Sequence, residues 1–426
     1  MEKRVSLTWQ QALLAACAMI ACALLFWNPR SQAPSWIFPY FSGAANLGLD
    51  FTWRVDASGI ADFARMTYSQ QMDYRFGRTE LANLATYSVL DKGYVYIIWV
   101  AQNLLFWMPQ IKAVIWLQIV FHVVSSLWVA SRLGSRRQQI IFLLAYAANP
   151  VVLHFVTFAY HYYWQVLPSL AWFWYETRVG ARTDRGLYLL TLALVLAAAF
   201  LIRQSTVIVS LFILTYAAWR HKRAVGWGVV VCFLAFAMFA KNPSQPWHTA
   251  YVGIGAYPND AGIELDDESG YRMFKDGTGI QINTTPPNGN YYDEKVRGQY
   301  YEVLKERLAG YAKEHPLQLA RNAVLNVLQG FSAGYPVGHL ALAYASAFIG
   351  LAALTLLAVR RMYVTIVLIF AGVAGFVAYY PPIPAYMFGN YLLLSLALAS
   401  IVDQIGNSGG AVALVRNLKE RLFRLP

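Results

Sequence analysis

The sequence predicts an all-α integral membrane protein, and three features of its composition support this fold class. Of the 426 residues, 58% are hydrophobic and only 13% are charged, whereas a soluble domain has roughly 25% charged residues. Aromatic residues make up 15% of the chain, and Trp and Tyr line membrane–water interfaces. The apolar residues form long runs separated by short basic clusters. This composition excludes a water-soluble enzyme and a disordered chain.

The apolar runs are interpreted, in chain order, as helices. The first, at about 9–27, is long for a signal peptide and has no small-residue cleavage site after it, so we expect an uncleaved helix. The next run, 93–108, is short for a bilayer span, which needs about 20 residues. A run at 140–175 has double length and is broken at Asn149 and Pro150, which predicts a helical hairpin. The remaining runs cover about 113–130, 187–202, 205–219, 224–240, 338–359, 363–380 and 386–402.

The basic clusters set the predicted topology. They lie at 2–4, 132–137, 178–185, 220–223, 360–361 and 416–424. If the run 93–108 is re-entrant or interfacial, every cluster falls on the cytoplasmic side, as the positive-inside rule requires. We therefore expect a bundle of about ten transmembrane helices with both termini cytoplasmic, and the compact size favours a bacterial inner membrane. The net charge of +12 is explained by topology, so no nucleic-acid partner is expected.

This topology leaves two long segments outside the membrane, 28–110 and 241–337. We expect the first to form juxtamembrane interfacial helices. The second holds about half of the acidic residues of the chain and has a polar helical pattern at about 293–314, after which His315 and Pro316 start another helix. The segment 338–426 follows with the last transmembrane helices and a basic cytoplasmic tail, which we expect to lie on the inner leaflet.

The first external segment carries an acidic residue just ahead of a short amphipathic pattern. Asp56 precedes a predicted helix N-terminus, where the helix dipole favours negative charge, and Ser58 is placed to cap that helix. One face of the helix is formed by Ile60, Phe63, Ala64 and Thr67. Asp56 either has a chemical role or serves as a cap. Alternative acids on the same loop are Asp50, Asp62 and Asp73.

Two cations stand on the external side, where the topology does not call for them. Lys92 opens the run 93–108 beside Tyr94 and Tyr96, and it either anchors the helix at the headgroups or holds a phosphate. Arg203 follows the apolar run 189–202. Its partner is either an anionic phosphate or a carboxylate of an external loop.

The turn of the predicted hairpin gathers aromatic and imidazole side chains, which form either an aromatic belt or the polar wall of a sugar pocket. They are His154, Tyr160, His161, Tyr162 and Tyr163. No acidic partner stands at metal-ligand spacing, so no metal site is predicted here. The cysteines lie inside apolar runs, which argues against a disulfide framework.

The order of these elements resembles the glycosyltransferase C superfamily, integral membrane enzymes that use polyprenyl-phosphate sugar donors. It includes protein mannosyltransferases, the aminoarabinose transferase of lipid A and arabinosyltransferases. Asp56 stands where the family's catalytic acid precedes its first juxtamembrane helix, although Ala57 replaces a second acid. The segment 91–96 resembles the family's Lys-Pro-Pro-Leu-aromatic segment, with Gly93 and Tyr94 in place of the prolines. Arg203 sits where many members carry a cation.

The resemblance implies transfer of a sugar from a polyprenyl-phosphate donor to an acceptor hydroxyl on the periplasmic face. Asp56 is then expected to act as general base, with Asp50 as the alternative. Lys92, Arg203 and Tyr94 are expected to bind the donor phosphate. The expected sugar or acceptor pocket comprises Arg54, Asp50, His154, His161 and Tyr162. Because one strong carboxylate stands out, a single displacement with inversion is expected.

The expected organisation is a catalytic transmembrane module at 1–240, an acceptor-recognition segment at 241–337 and a C-terminal transmembrane part at 338–426. Besides membrane lipids, the expected partners are the lipid-linked donor and a glycan, a lipid or an exported protein such as a pilin. No cofactor is expected, and a divalent metal is left open. Two alternatives remain: a transporter or flippase for lipid-linked sugars, and an enzyme like the O-antigen ligases or polymerases.

Overall fold

A computed structural model describes residues 7–27, 35–48, 55–56, 58–79, 91–178, 185–221, 224–240, 246–284, 289–290 and 293–407. Within these residues all regular structure is helical. The first half contains α1 (Trp9–Phe26), α2 (Phe38–Ala45), α3 (Ile60–Arg65), α4 (Tyr68–Asp73), α5 (Lys92–Leu104), α6 (Gln110–Ser131), α7 (Arg136–Phe142), α8 (Pro150–Val156), α9 (Leu167–Arg178) and α10 (Arg185–Ile202). The second half contains α11 (Val207–His221), α12 (Ala224–Ala240), α13 (Trp247–Gly253), α14 (Asp267–Thr278), α15 (Glu294–Glu314), α16 (Pro316–Gln329), α17 (Leu340–Val359), α18 (Tyr363–Val373) and α19 (Phe388–Asn407).

Four helices of the described chain are long and apolar enough to cross a membrane: α1, α6, α17 and α19. A fifth span is formed if α7 and α8, with the turn between them, are counted as one broken helix. Three shorter apolar stretches, in α10, α12 and α18, run from 10 to 17 residues. These helices agree with the prediction of a helical membrane protein. The predicted number of about ten spans is not confirmed.

The chain breaks at Asn149, as the sequence predicts. The helical pieces on either side meet at 57°, because Pro150 removes a backbone donor and Asn149 caps α8 by accepting the N–H of Val151 at 2.9 Å. The amide of Gln118 on α6 donates to the carbonyls of Val156 and Phe158, both at 2.9 Å. These bonds satisfy backbone groups that the end of α8 leaves open, and a short 3₁₀ turn, His161–Val166, then leads into α9.

Four hydrophobic clusters hold the described residues together, and the smallest is built around Tyr257, Tyr335 and Ala343. The first joins α1, α2, α5, α6 and α8, and the second joins α9 to α12 with α18 and α19. A third cluster lies within the segment 241–337 and is built around Tyr251, Phe274, Tyr300 and Leu304. The polar helix predicted at 293–314 is confirmed as α15, and Pro316 begins α16 as predicted.

Several local predictions are wrong. Ser58 does not cap α3, because its N-cap is Gly59 and the Ser58 hydroxyl donates to Asp56 instead. Of the predicted apolar face, only Ile60 and Phe63 are buried, because α3 ends at Arg65. The residues excluded from that face are Ala64, which is exposed, and Thr67, which caps α4. Asp50, Arg54 and the predicted basic tail after residue 407 lie outside the described residues.

Candidate active site

The centre of the candidate site is an ion pair between the buried Asp91 and the half-buried Arg203. Arg203 directly follows α10 in an extended conformation, and Asp91 directly precedes α5. One guanidinium nitrogen, Nη1, donates to Asp91 Oδ2 at 2.9 Å, and the backbone N–H of Gln204 donates to Oδ1 at 3.3 Å. The Asp91 side chain is 4% exposed and that of Arg203 is 20% exposed. Of the two partners left open for Arg203, the structure contains the loop carboxylate.

Gly93 explains how α5 and α10 come close enough to form this pair. A Cβ atom at Gly93 would lie 2.5 Å from the carbonyl carbon of Leu201 and 2.6 Å from the nitrogen of Ile202. Real Cβ atoms essentially never come within 3.0 Å of such atoms. The first turn of α5 therefore packs directly on the backbone at the end of α10, and only glycine fits there.

Aromatic rings surround the guanidinium. The Cζ atom of Arg203 lies 5.7 Å from the ring centroid of Tyr162 and 5.3 Å from that of Tyr386. Both distances fall in the range of cation–π interactions. The two rings are 5.8 Å apart, so together they restrict where the guanidinium can point.

His161 is buried next to the ion pair and lacks a hydrogen-bond partner among the described residues. Its Nδ1 lies 3.5 Å from Asp91 Oδ2, and the ring is only 1% exposed. It packs against the rings of Tyr40, Tyr94 and Tyr160. Neither ring nitrogen makes a hydrogen bond within the part of the chain that the structure describes. A buried polar group of this kind costs about 1–3 kcal/mol if it stays unpaired, so the site is suited to a hydroxyl-bearing ligand or a water molecule.

Asp56 forms a second polar centre. Its Oδ1 accepts the hydroxyl of Ser58 at 2.6 Å and the backbone N–H of Ser58 at 2.9 Å, and its Oδ2 accepts the hydroxyl of Thr79 at 2.9 Å. Burial alone would raise the pKa of Asp56, but the hydrogen bonds from Ser58 and Thr79 outweigh it and hold the pKa below its usual range. Asp56 is therefore a carboxylate at neutral pH.

Helix α2 stands between the two centres. Ser42 accepts the backbone N–H of Asp56 at 2.8 Å, whereas Tyr40 packs against Tyr94 and His161. Residues two apart on a helix point to opposite faces. Asp56 therefore lies across α2 from Arg203, and no hydrogen bond or ion pair of the described residues joins the two.

The other predicted site residues are placed as follows. Tyr94 is fully buried beside His161. Lys92 is exposed at the first position of α5, next to Asp91 but pointing to the surface. His154 belongs to α8, and its ring stacks on that of Phe158. His161 lies in the separate 3₁₀ turn that follows α8. The structure thus brings together Arg203, His161, Tyr162 and Tyr94, with Lys92 at the edge.

Sequence reasoning missed three members of this cluster, Asp91, Tyr40 and Tyr386, whereas Tyr160 was named with the aromatic side chains of the hairpin turn. Asp91 could have been found, because an acid directly before an apolar helix on the same predicted side as Arg203 is the simplest partner for an unmatched cation. Tyr386 carries no such signal, since it reaches Arg203 only through the packing of distant helices.

A groove in the apolar part of the bundle lies along α10, about two helical turns before Arg203. It has a volume of about 500 Å³ and lies between α6, α9 and α10. Its walls are almost entirely apolar, with Phe121, Trp128, Trp174 and Val195 among them. Val195 stands eight residues before Arg203 on α10, so the groove begins roughly 12 Å along the helix from the ion pair.

The described residues contain no group of three or more His, Cys, Asp or Glu side chains that could hold a metal ion. The cluster around Arg203 offers one carboxylate, one imidazole and several phenols. It is suited to binding an anion or a polar group.

No protein-family model matches the chain, and no curated protein matches it. Among solved structures, the chain is similar to the archaeal oligosaccharyltransferase AglB from Archaeoglobus fulgidus in complex with an inhibitory peptide and a dolichol-phosphate. The sequence identity is 16% and the TM-score is 0.45. The match covers 97% of this chain and 52% of the AglB chain, so this chain spans about half the length of that protein.

Proposed function

We propose that the protein is a membrane glycosyltransferase that moves a sugar from a polyprenyl-phosphate donor to an acceptor hydroxyl on the periplasmic side. One observation carries the proposal: a half-buried arginine, oriented by Asp91 and two tyrosine rings, stands at the end of an apolar helix whose flank forms an apolar groove. A lipid phosphate needs both of these features, a cation at the membrane boundary and an apolar surface below it.

In this proposal Arg203 binds the donor phosphate. A guanidinium has five N–H donors, and Asp91 accepts from Nη1 alone, while Nε has no hydrogen-bond partner among the described residues. The phosphate leaves with the polyprenyl chain as the glycosidic bond breaks, and a fixed cation stabilises the charge that develops on it. Lys92, at the exposed start of α5, supplies a second cation at the mouth of the site.

The groove between α6, α9 and α10 accommodates the polyprenyl chain. Its volume falls within the range of ligand sites, and a chain that starts at Arg203 reaches it by following α10 into the membrane. His161, Tyr94 and Tyr162 then face the sugar or its phosphate. Asp50 and Arg54 lie outside the described residues, and we propose them, with His154, as further members of the sugar or acceptor pocket.

Asp56 acts as the general base. Its low pKa keeps it ionised, so it can accept the proton of the acceptor hydroxyl while the bond to phosphate breaks, which contributes roughly 10²–10⁴-fold to the rate. A single displacement inverts the anomeric centre. The anomeric carbon is bonded to the phosphate oxygen, so Asp56 and Arg203 must act on the same bond. Helix α2 separates the two residues in this structure, and in this proposal it shifts when the substrates bind.

The test is the turnover of polyprenyl-phosphate sugars by the purified full-length protein, measured as release of polyprenyl phosphate. Asp56→Asn is expected to lower turnover by at least about 100-fold with donor binding retained, and Arg203→Gln is expected to weaken donor binding. Asp62→Asn, an exposed acid on α3 in the same loop, is the matched control. Full turnover by Asp56→Asn would contradict the role of Asp56 as general base. If Asp91→Asn lost turnover while Asp56→Asn kept it, the general base would be Asp91 instead.

The bend between α7 and α8 favours one alternative, a transporter for lipid-linked sugars, because broken helices line the substrate sites of many transporters. Proteoliposomes separate the two functions. A transporter moves the intact lipid-linked sugar across the bilayer, whereas the transferase releases polyprenyl phosphate.

A further inference from the structure

A second cavity lies in the segment outside the helical bundle and is not used by the donor. It has a volume of about 510 Å³ and lies between the loop 255–266 and the stretch 335–340. The stretch 335–340 leads directly into α17, one of the four long apolar helices. The cavity therefore opens at the end of a membrane span and not within the apolar layer.

Side-chain hydrogen bonds to the backbone hold the walls of this cavity. Asn259 donates to the carbonyls of Tyr257 and Ile263, at 3.2 and 2.8 Å, and accepts the N–H of Ile263 at 3.0 Å. Gln318 and Arg321 on α16 both donate to the carbonyl of Pro258. A loop that is fixed from both sides presents a preformed site, so binding costs little ordering of the protein.

The charges on the walls restrict the ligand. Glu264 and Asp266 line the cavity, and none of the lining residues is Lys or Arg. Asp266 is engaged as the N-cap of α14 through the N–H of Ser269 at 2.8 Å, whereas the exposed carboxylate of Glu264 is available to accept hydrogen bonds from hydroxyl or ammonium groups. Among the lining residues, His339 is the one that can carry positive charge, and Arg321 contacts the wall from outside at Pro258. A phosphate or carboxylate ligand would therefore meet more negative than positive charge on the lining side chains.

One turn connects this cavity to the donor site. The backbone N–H of Tyr335, which lines the cavity, donates to the carbonyl of Pro382 at 2.8 Å, and Ile383 packs in the same apolar cluster as Tyr335. Four residues after Pro382, Tyr386 lies against the guanidinium of Arg203. The cavity and the Arg203 site thus stand on two sides of the segment 381–386.

We infer that this cavity binds the acceptor, and that the acceptor is a hydroxyl-rich carbohydrate without negative charge. The identification as acceptor rests on the proposed function, whereas carbohydrate binding in the cavity does not. The walls combine apolar and aromatic side chains with two carboxylates and are held by hydrogen bonds. They select a neutral or amino-bearing glycan, and the shared turn places it beside the donor.

The experiment measures binding of three disaccharides to the full-length protein in lipid nanodiscs by saturation-transfer NMR: cellobiose, a dimer of glucosamine and cellobiouronic acid. The first two are expected to bind, and the anionic sugar is expected to bind roughly fivefold more weakly, the effect of about 1 kcal/mol at a solvent-exposed charge. Glu264→Lys is expected to remove or reverse this preference. Glu268→Lys, an exposed acid of α14 that does not line the cavity, is expected to keep it.

A variant that fills the cavity with a large side chain provides a second test. Val337 lines the cavity and is 55% exposed, so Val337→Trp is expected to abolish binding of all three sugars, whereas Leu317→Trp, at an 84% exposed position on α16, is expected to leave it unchanged. Absence of binding to the unmodified protein, equal binding of the anionic sugar, or full binding by Val337→Trp would overturn the inference. Donor turnover is measured separately, so carbohydrate binding without release of polyprenyl phosphate would refute the proposed function and leave the cavity assignment standing.

Discussion

At the scale of single residues, the proposed chemistry depends on two carboxylates in opposite environments. Asp91 is buried and neutralised by one guanidinium, whereas Asp56 is held by two hydroxyls and a backbone N–H near the surface. A buried charge pair depends on both partners, because removal of one leaves the other uncompensated. When a hydroxyl that stabilises an exposed carboxylate is removed, the main effect is instead a rise in the pKa of that carboxylate.

Arg203→Gln is expected to destabilise the protein by about 3–5 kcal/mol, since Asp91 then stays buried without its cation. The double variant Asp91→Asn with Arg203→Gln is expected to recover a large part of this loss. Chemical unfolding in detergent measures both free energies of unfolding. If the two single effects simply added in the double variant, the side chains would not form an interacting pair in solution.

Ser58→Ala is expected to raise the pKa of Asp56, because it removes the hydroxyl bond at 2.6 Å. The folded-state pKa of Asp56 lies below its unfolded value, so this carboxylate adds stability above about pH 4, and the contribution is lost as the pH falls through the folded-state pKa. The acid limb of the pH profile of sugar transfer is expected to move to higher pH in Ser58→Ala. Ser69→Ala, on the exposed side of α4, serves as control, and an unmoved limb would argue against Asp56 as the titrating group.

At the scale of elements, the apolar runs predict the helices well where the chain itself defines the ends. The run 224–240 coincides with α12, and Asn149 with Pro150 marks the break before α8. Prediction from the sequence is wrong where a side chain has two possible local hydrogen-bond partners. Ser58 binds Asp56 and does not cap α3. Prediction also fails for Tyr386 and Tyr40, whose place beside Arg203 and His161 depends on packing between helices far apart in the chain.

Gly93→Ala is expected to destabilise the protein by about 1–3 kcal/mol, because the added methyl group meets the backbone of Leu201 and Ile202 and must push α5 away from α10. Donor binding is expected to weaken along with it, since Asp91 moves away from Arg203. Gly228→Ala on α12, where no atom lies within 4 Å of the added Cβ, is the control and is expected to be neutral or slightly stabilising. Similar unfolding free energies for both variants would contradict the close approach of α5 and α10.

At the scale of the whole molecule, the charges of the chain form two populations. Arg136 and Arg137 open α7 at the surface, near the end of α6. Arg203 follows the end of α10 that is away from Arg185, and Asp91 pairs with it there. The number of long apolar helices does not by itself fix the orientation, so the basic turns carry the prediction of which side is cytoplasmic.

Labelling of single cysteines tests this orientation. In a background without Cys17, Cys22 and Cys232, Lys92→Cys is expected to react with a membrane-impermeant maleimide from the outside of intact cells. Arg137→Cys is expected to react only after the cells are opened. The reverse pattern would invert the topology and move the proposed active site to the cytoplasm.

The turn at 381–386 has a thermodynamic consequence. It contacts Arg203 through Tyr386 and the second cavity through Pro382 and Ile383. If a phosphate at Arg203 shifts this turn and changes the affinity of the cavity for carbohydrate by some factor, the carbohydrate must change the affinity for the phosphate by the same factor. The two ligands then report on each other at equilibrium. Titration of one in the presence of the other gives their coupling free energy directly, without any sugar being transferred.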